Sequence, residues 1–171
     1  AGTPLVADPG YKLGVDMRAA GLPLTTAPGA SAVLAALTVS GLPTDAFYFA
    51  GFLPNSSTTR RSGLIGLKDL QATVVLYESP KRIHAMLNDL CDVLGEGRNV
   101  VICRELTKKF EEVLTGTAKE VLEQINGRTL KGEIVVLIDR GDVAVMNEDD
   151  VKEALILAMQ TMRVKDAATV V

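Results

Sequence analysis

Two charged segments carry the side chains best suited to chemistry. Leu76-Tyr77-Glu78-Ser79-Pro80-Lys81-Arg82 and Ile102-Cys103-Arg104-Glu105-Leu106-Thr107-Lys108 each leave an apolar run and turn at once into mixed charge. A carboxylate beside guanidinium and ammonium groups can accept a proton and hold an anion in one place. If both runs are neighbouring strands of a parallel α/β sheet, their carboxyl ends share a rim, where the ligands of such sheets gather. Glu78, Arg82, Arg104, Glu105 and Lys108 would then converge. A structural ion-pair network across strand ends accounts for the same spacing. Lys81 and Arg82 also stand in the first turn of an expected helix, where the dipole disfavours cations. An anion should therefore lie near them, either Glu78 or a phosphate from outside.

Three further places could bind a ligand, each with a plainer reading. Residues 54–63 (PNSSTTRRSG) form a polar loop with Arg60 and Arg61 adjacent, either a phosphate-grasping lid or a solvated surface loop. Pro28-Gly29-Ala30-Ser31-Ala32 puts small residues at a helix start, which lets a ligand touch backbone N–H groups or lets helix and sheet pack tightly. His84, between Ile83 and Ala85, reads as a surface or edge residue, and Cys103 as inert packing within a strand. No GxGxxG at a strand–helix turn, no Walker A motif and no GxSxG elbow is present.

The elements that must position these groups alternate in the manner of an α/β protein. Residues 73–77, 99–103 and 133–138 are rich in Val and Ile without period-2 polarity, as expected of strands covered on both faces. Residues 80–94 place Ile83, Met86, Leu87, Leu90 and Leu94 at helical spacing, with Ser79 as N-cap and Pro80 at the first position. Thr117-Ala118-Lys119-Glu120 is a capping box that opens a helix over 118–125. A small apolar helix over 31–39 reads as buried on nearly all sides, and a late helix is expected over 148–162. Turn-rich residues 41–45 and Gly141-Asp142 suggest three parts: 1–43 as the end of a first α/β domain, 44–141 as a second, and 142–171 as a helical extension. Ala1-Gly2-Thr3-Pro4 resembles a strand-to-helix loop, and 164–171 begin an uncapped amphipathic helix, so the chain is expected to be part of a longer protein.

Composition excludes several classes. The 171 residues hold one His and two Cys, which leaves a His/Cys metal site without ligands and fits a reducing cytoplasm without a disulfide framework. No apolar run nears the roughly 18 residues of a membrane span. With 18 basic and 21 acidic residues the net charge is −3, so any RNA contact must come from a local patch.

Taken in order, AGTPLVADPGY (1–11), PGASA (28–32), SGLPTDAFYFAGFLP (40–54), YESPKR (77–82), RELTKKFEE (104–112) and GEIVVLI (132–138) resemble the tetrapyrrole (precorrin/corrin) methylase superfamily. YESPKR and RELTKKFEE are similar to its branch acting on small-subunit ribosomal RNA. The resemblance implies a class III S-adenosylmethionine methyltransferase, with two α/β domains and the cofactor in the cleft between them, commonly a homodimer. It implies methylation of a cytidine ribose 2′-oxygen in the decoding centre of 16S rRNA within the small ribosomal subunit. Cofactor contacts carried over from the superfamily fall on Ala1, Gly2, Thr3, Ser31, Ala32, Glu78 and near Leu106.

For such a transfer, sulfur, methyl and oxygen must be held in line, and the hydroxyl proton needs an acceptor. Glu78 is the first choice as general base and Glu105 the second. Lys108, Arg82 and Arg104 would hold flanking phosphates or acidify the hydroxyl, and Arg60 with Arg61 would grip RNA. Two other readings share these residues: a tetrapyrrole small-molecule methylase, and a cofactor-binding fragment or ribosome-assembly module without turnover.

Overall fold

The computed structural model describes residues 2–7, 9–141, 152, 155–160 and 162–166. In chain order the elements are α1 (Tyr11–Ala19), α2 (Ala32–Ser40), β1 (Phe47–Phe52), α3 (Ser57–Ile65), β2 (Thr73–Glu78), α4 (Ile83–Leu94), β3 (Asn99–Arg104), β4 (Glu112–Thr117), α5 (Ala118–Ile125) and β5 (Ile134–Ile138). The chain divides into two compact units, residues 1–141 and 142–171. In the second, residues 155–158 are helical, while residues 148–151, 153–154 and 161 of the expected 148–162 helix lie outside the described residues.

The five strands form one sheet in the order β1-β2-β5-β3-β4. The three Val/Ile-rich runs are β2, β5 and β3, its inner strands, which explains their unbroken apolar character. The expected parallel sheet is corrected to a mixed one. Only β1 and β2 run parallel, and β5 lies antiparallel to both β2 and β3. The physical reason is the short return through residues 105–111, which folds β4 back along β3. After α5 the chain then enters between β2 and β3 from the rim where both of those strands end.

On one face, α3, α4 and α5 bury Leu64, Ile83, Met86, Leu87, Leu90, Val121 and Ile125 against Val74, Leu76, Ile102 and Val136. On the other, α2 buries Val33, Ala36 and Leu37 against Val75, Val101, Val135 and Leu137. The reading of α2 as buried all round is corrected, since Leu34 and Val39 stand exposed. The capping box on α5 forms as expected, with the Thr117 side chain accepting from Glu120 N–H and the Glu120 carboxylate from Thr117 N–H.

Two local expectations also change. The first turn of residues 80–94 is not α-helical. Ser79 instead offers its carbonyl to both Arg82 N–H and Ile83 N–H, and α4 begins at Ile83. Residues 57–65 are not a loop but α3, whose N-cap Ser56 accepts from Thr59 N–H.

Candidate active site

Register puts the singled-out charges on one rim. Glu78 and Arg104 both pair with Ile134, so the carboxyl ends of β2 and β3 stand either side of the start of β5. The expectation that these strands are direct neighbours is corrected, but the convergence survives with one strand interposed.

At the β2 end, Glu78 is a buried carboxylate with its side chain 1% exposed. Its Oε1 accepts from Ser79 N–H at 2.7 Å and its Oε2 from Arg82 Nη2 at 3.2 Å. Arg82 then reaches the carbonyls of Leu53 (2.6 Å) and Pro54 (3.3 Å) and the side chain of Asn55. Its Nε lies 3.1 Å from Glu78 Oε1 but out of line for a hydrogen bond. Arg82 therefore straps β2 to the end of β1. The anion expected near the start of α4 is Glu78, and it serves Arg82, not Lys81.

At the β3 end the backbone is held in an uncommon conformation. Glu105 and Thr107 take φ of 50° and 65°, the left-handed region that costs a non-glycine residue about 1–3 kcal/mol. Leu106, between them, packs on the α2 cluster. The strain is held by a compact set of bonds. Glu105 N–H donates to the Glu133 carbonyl (3.0 Å), and Glu133 N–H donates back to Glu105 Oε1 (2.9 Å). Lys108 Nζ bridges Glu105 Oε1 (2.8 Å) and Glu133 Oε2 (3.1 Å). The Lys108 ammonium, and next the Glu133 N–H, hold the Glu105 carboxyl below the usual carboxylate range. Glu105 in turn, followed by Glu133, raises the lysine.

Gly132 closes this corner. At φ +91° it presses so near the Glu105 carboxylate that an added Cβ would run into it. Gly127, also left-handed at φ +70°, faces open space. Gly132→Ala should therefore lower the thermal midpoint well beyond Gly127→Ala, which carries only the backbone cost of roughly 1–2 kcal/mol. Equal shifts for the two variants in parallel melts would reduce the Gly132 contact to backbone strain alone.

Arg104 completes the rim. Its Nε donates to Glu112 Oε2 across β3–β4 at 3.0 Å, and its Nη1 to the Lys131 carbonyl at 3.1 Å. Arg128 donates to the other Glu112 oxygen at 2.7 Å. Arg128 first, then Arg104 against the opposing effect of burial, keeps the Glu112 carboxyl below its ordinary value.

Arg60 and Arg61 are not on a free lid. Arg60 is 4% exposed, and its Nε and Nη2 lie 2.7 and 2.5 Å from Asp89 Oδ2 on α4. Arg61 donates to Asp92 at 2.6 Å and to Asp89 at 3.3 Å. The physical reason is that α3 lies along α4 and turns both guanidinium groups onto its acidic face. The assignment of Arg60 to RNA is corrected accordingly, since its charge is enclosed by Asp89. Cys103 fits the packing role, with burial pushing its thiol up to about 11. His84 is half-buried, with Nε2 3.3 Å from the Arg128 carbonyl.

The two small-residue loops meet. Thr3 N–H donates to the Ala30 carbonyl at 2.9 Å, and Thr3 Oγ1 to the Gly29 carbonyl at 3.1 Å. A Cβ on Gly29 would come within 2.9 Å of the Gly2 carbonyl carbon, and one on Gly2 within 2.9 Å of the Ala30 oxygen. Backbone thus lies on backbone, and α2 starts directly beside it with Ser31 as cap and Ala32 as first residue. Leu106 packs on the core cluster to which this helix belongs. The two loops therefore meet through their peptide groups and the Thr3 hydroxyl. Ala1 lies outside the described residues.

Sequence reasoning missed Asn55, Asp89, Gly132 and Glu133. The one visible signal was Gly132-Glu133 at the mouth of a strand. Asp89 sat among the polar residues of an amphipathic helix and gave none. Among the described residues no cluster of three metal-ligating side chains occurs, and no helix is long and apolar enough to cross a membrane.

The chain is similar to known proteins in sequence and in fold. Residues 1–122 match the family described as Tetrapyrrole (Corrin/Porphyrin) Methylases. A relative from Mesorhizobium japonicum, named Ribosomal RNA small subunit methyltransferase I, is 42% identical over 99% of this chain and 58% of its own length. Further relatives bear the same name, and the chain spans about half to three fifths of their length. The methyltransferase CobJ superposes with a TM-score of 0.60 at 20% identity, covering 81% of this chain and 62% of that one. Uroporphyrin-III C-methyl transferase from Thermus thermophilus, complexed with S-adenyl homocysteine, gives 0.53 at 19% identity over 83% and 63%. At such identities the structures speak for the fold.

Proposed function

The chain belongs to the tetrapyrrole (corrin/porphyrin) methylase family, and from that premise we propose that it serves S-adenosylmethionine-dependent methylation of small-subunit ribosomal RNA, at the 2′-oxygen of a cytidine. The observation that carries this reading is likeness along nearly the whole chain to relatives named for that RNA. A homodimer and a cytoplasmic setting belong to the same reading.

Gly2, Thr3, Ser31, Ala32 and Leu106 would hold the cofactor, which supplies a methyl group on a sulfonium. The ribose hydroxyl must lose its proton as its oxygen takes that methyl, and the geometry favours Glu105 over Glu78 as acceptor. Glu78 is enclosed and uses both oxygens on Ser79 and Arg82. Glu105 makes its bonds through Oε1, and its Oε2 takes part in no hydrogen bond among the described residues. Lys108 keeps Glu105 ionised at neutral pH, ready to accept a proton as the hydroxyl becomes more acidic in the transition state. Lys108 and Arg104 are themselves paired with Glu105, Glu133 and Glu112, so their charge at this corner orients the carboxylates and is not left over for a phosphate.

The test is labelled S-adenosylmethionine with small ribosomal subunits, using the chain in its natural polypeptide and mapping the modified nucleotide by mass. Label on a cytidine ribose supports the reading. Label on a base, or uptake by uroporphyrinogen with none on RNA, sinks it.

A further inference from the structure

Beside this corner, an open groove of about 630 Å³ runs between the β2–α4 turn and the α5–β5 connection. Lys81 and His84 come from the β2–α4 side, and Arg128, Lys131 and Gly132 from the α5–β5 connection. No carboxylate is among the described residues that line it. Arg128 in the groove is neutralised by Glu112, and elsewhere on the rim Arg82, Arg104 and Lys108 each stand within ion-pair distance of a glutamate. Lys81 and Lys131 are exposed, and neither forms an ion pair among the described residues.

The placement of these two lysines has consequences. Lys81 precedes α4 in a turn where positive charge is disfavoured, and the nearby carboxylate of Glu78 is taken by Arg82. Lys131 is fixed at its backbone by Arg104, which donates to its carbonyl. The contact between His84 Nε2 and the Arg128 carbonyl ties the two sides together at 3.3 Å. Gly132, in the lining of the groove, lies against the Glu105 carboxylate. It is therefore a groove with unused lysine charge, and one of its lining residues, Gly132, adjoins the proposed proton acceptor.

We propose that this groove is a track for RNA backbone phosphates flanking the nucleotide to be modified, with Lys81 and Lys131 as its two phosphate contacts. The inference rests on the rRNA reading and adds to it where the strand runs. A phosphodiester chain fits a groove that offers, among the described residues, two exposed, unpaired ammonium groups and no carboxylate in its lining. Each contact would release condensed counterions, so binding acquires a salt dependence that the count of lysines sets.

The experiment measures binding of small ribosomal subunits across a salt series, with the chain in its natural polypeptide. Lys81→Ala with Lys131→Ala should weaken binding roughly tenfold near 0.1 M salt. The slope of log K against log salt should flatten by about 1.4, at roughly 0.7 per single-strand phosphate. S-adenosylmethionine affinity should hold, and Lys81→Arg with Lys131→Arg should restore both affinity and slope. An unchanged slope in the alanine variant overturns the groove while wild-type methylation of the subunit leaves the rRNA reading standing. Wild type that takes up no RNA overturns both. A polyglutamate peptide that displaces subunits better than an RNA oligonucleotide of equal charge overturns the groove in favour of an acidic protein.

Discussion

Asp89→Ala is expected to destabilise the 1–141 unit by about 3–5 kcal/mol, because it strands the buried Arg60 guanidinium without its counter-charge. Asp89 accepts from Ser57 Oγ at 2.8 Å and from Arg60 at 2.7 Å, and the two side chains of the ion pair are only 5% and 9% exposed. The Asn55 carbonyl, 3.0 Å from Arg60 Nη1, cannot replace a full charge. Thermal melts should show a fall of roughly 6–20 °C. Removing both charges, as Arg60→Met with Asp89→Leu, should cost far less, since apolar residues of similar volume tolerate such sites. A single variant that melts with wild type would mean water or another group already screens Arg60.

The same pair has a pH signature. Burial works to raise the Asp89 carboxyl, but the hydrogen bonds from Ser57 and Arg60 outweigh it and leave the group below its ordinary value. A carboxyl depressed on folding adds stability above its unfolded value near 3.9, and that stability is lost as pH falls through the folded one. The gap between wild type and Asp89→Ala should therefore be widest at neutral pH and close below about pH 4.

Glu105→Gln is expected to cut methyl transfer by about 10²–10⁴-fold, the usual span for a lost general base. Affinities for cofactor and RNA should change little, because the amide keeps the size and one acceptor oxygen of the carboxylate. Single-turnover rates with pre-bound subunits would isolate that step. Glu78→Gln should act differently. It loosens the strap from Arg82 to β1, so its main effect belongs in the melting midpoint. If Glu78→Gln slows transfer more than Glu105→Gln with its midpoint unchanged, the proton acceptor is Glu78.

These two glutamates mark how far sequence could go. Strand-end spacing brought Glu78, Arg104 and Glu105 to one rim because a charge directly after a buried run has nowhere else to lie. The three inner strands were legible for the same reason: both faces are covered, so Val and Ile run on without alternation. The direction of β5 was not legible, since antiparallel insertion depends on where α5 leaves the chain and not on any residue within IVVLI. α3 was hidden because its STTRRSGLI has little apolar period. Its hold on the protein comes from Leu64 alone on the apolar side and from Arg60, whose partner Asp89 is far along the chain on another helix. The small-residue loops at Gly2 and Gly29 could be read as compatible with a ligand, but their contact with each other is a tertiary fact.

The insertion of β5 between β2 and β3 also dictates the order in which the rim can come into being during synthesis. Val74 and Val100 both pair with Ile138, so two halves of the sheet made earlier wait for the strand that joins them. Until Ile138 has left the ribosome, β2 and β3 each present an unpaired, apolar inner edge, the kind that recruits other chains. Glu78 and Arg104 meanwhile belong to separate pieces with no common partner. The nascent protein thus passes through a stage of high aggregation hazard and no assembled centre, and a single late five-residue strand ends both conditions together.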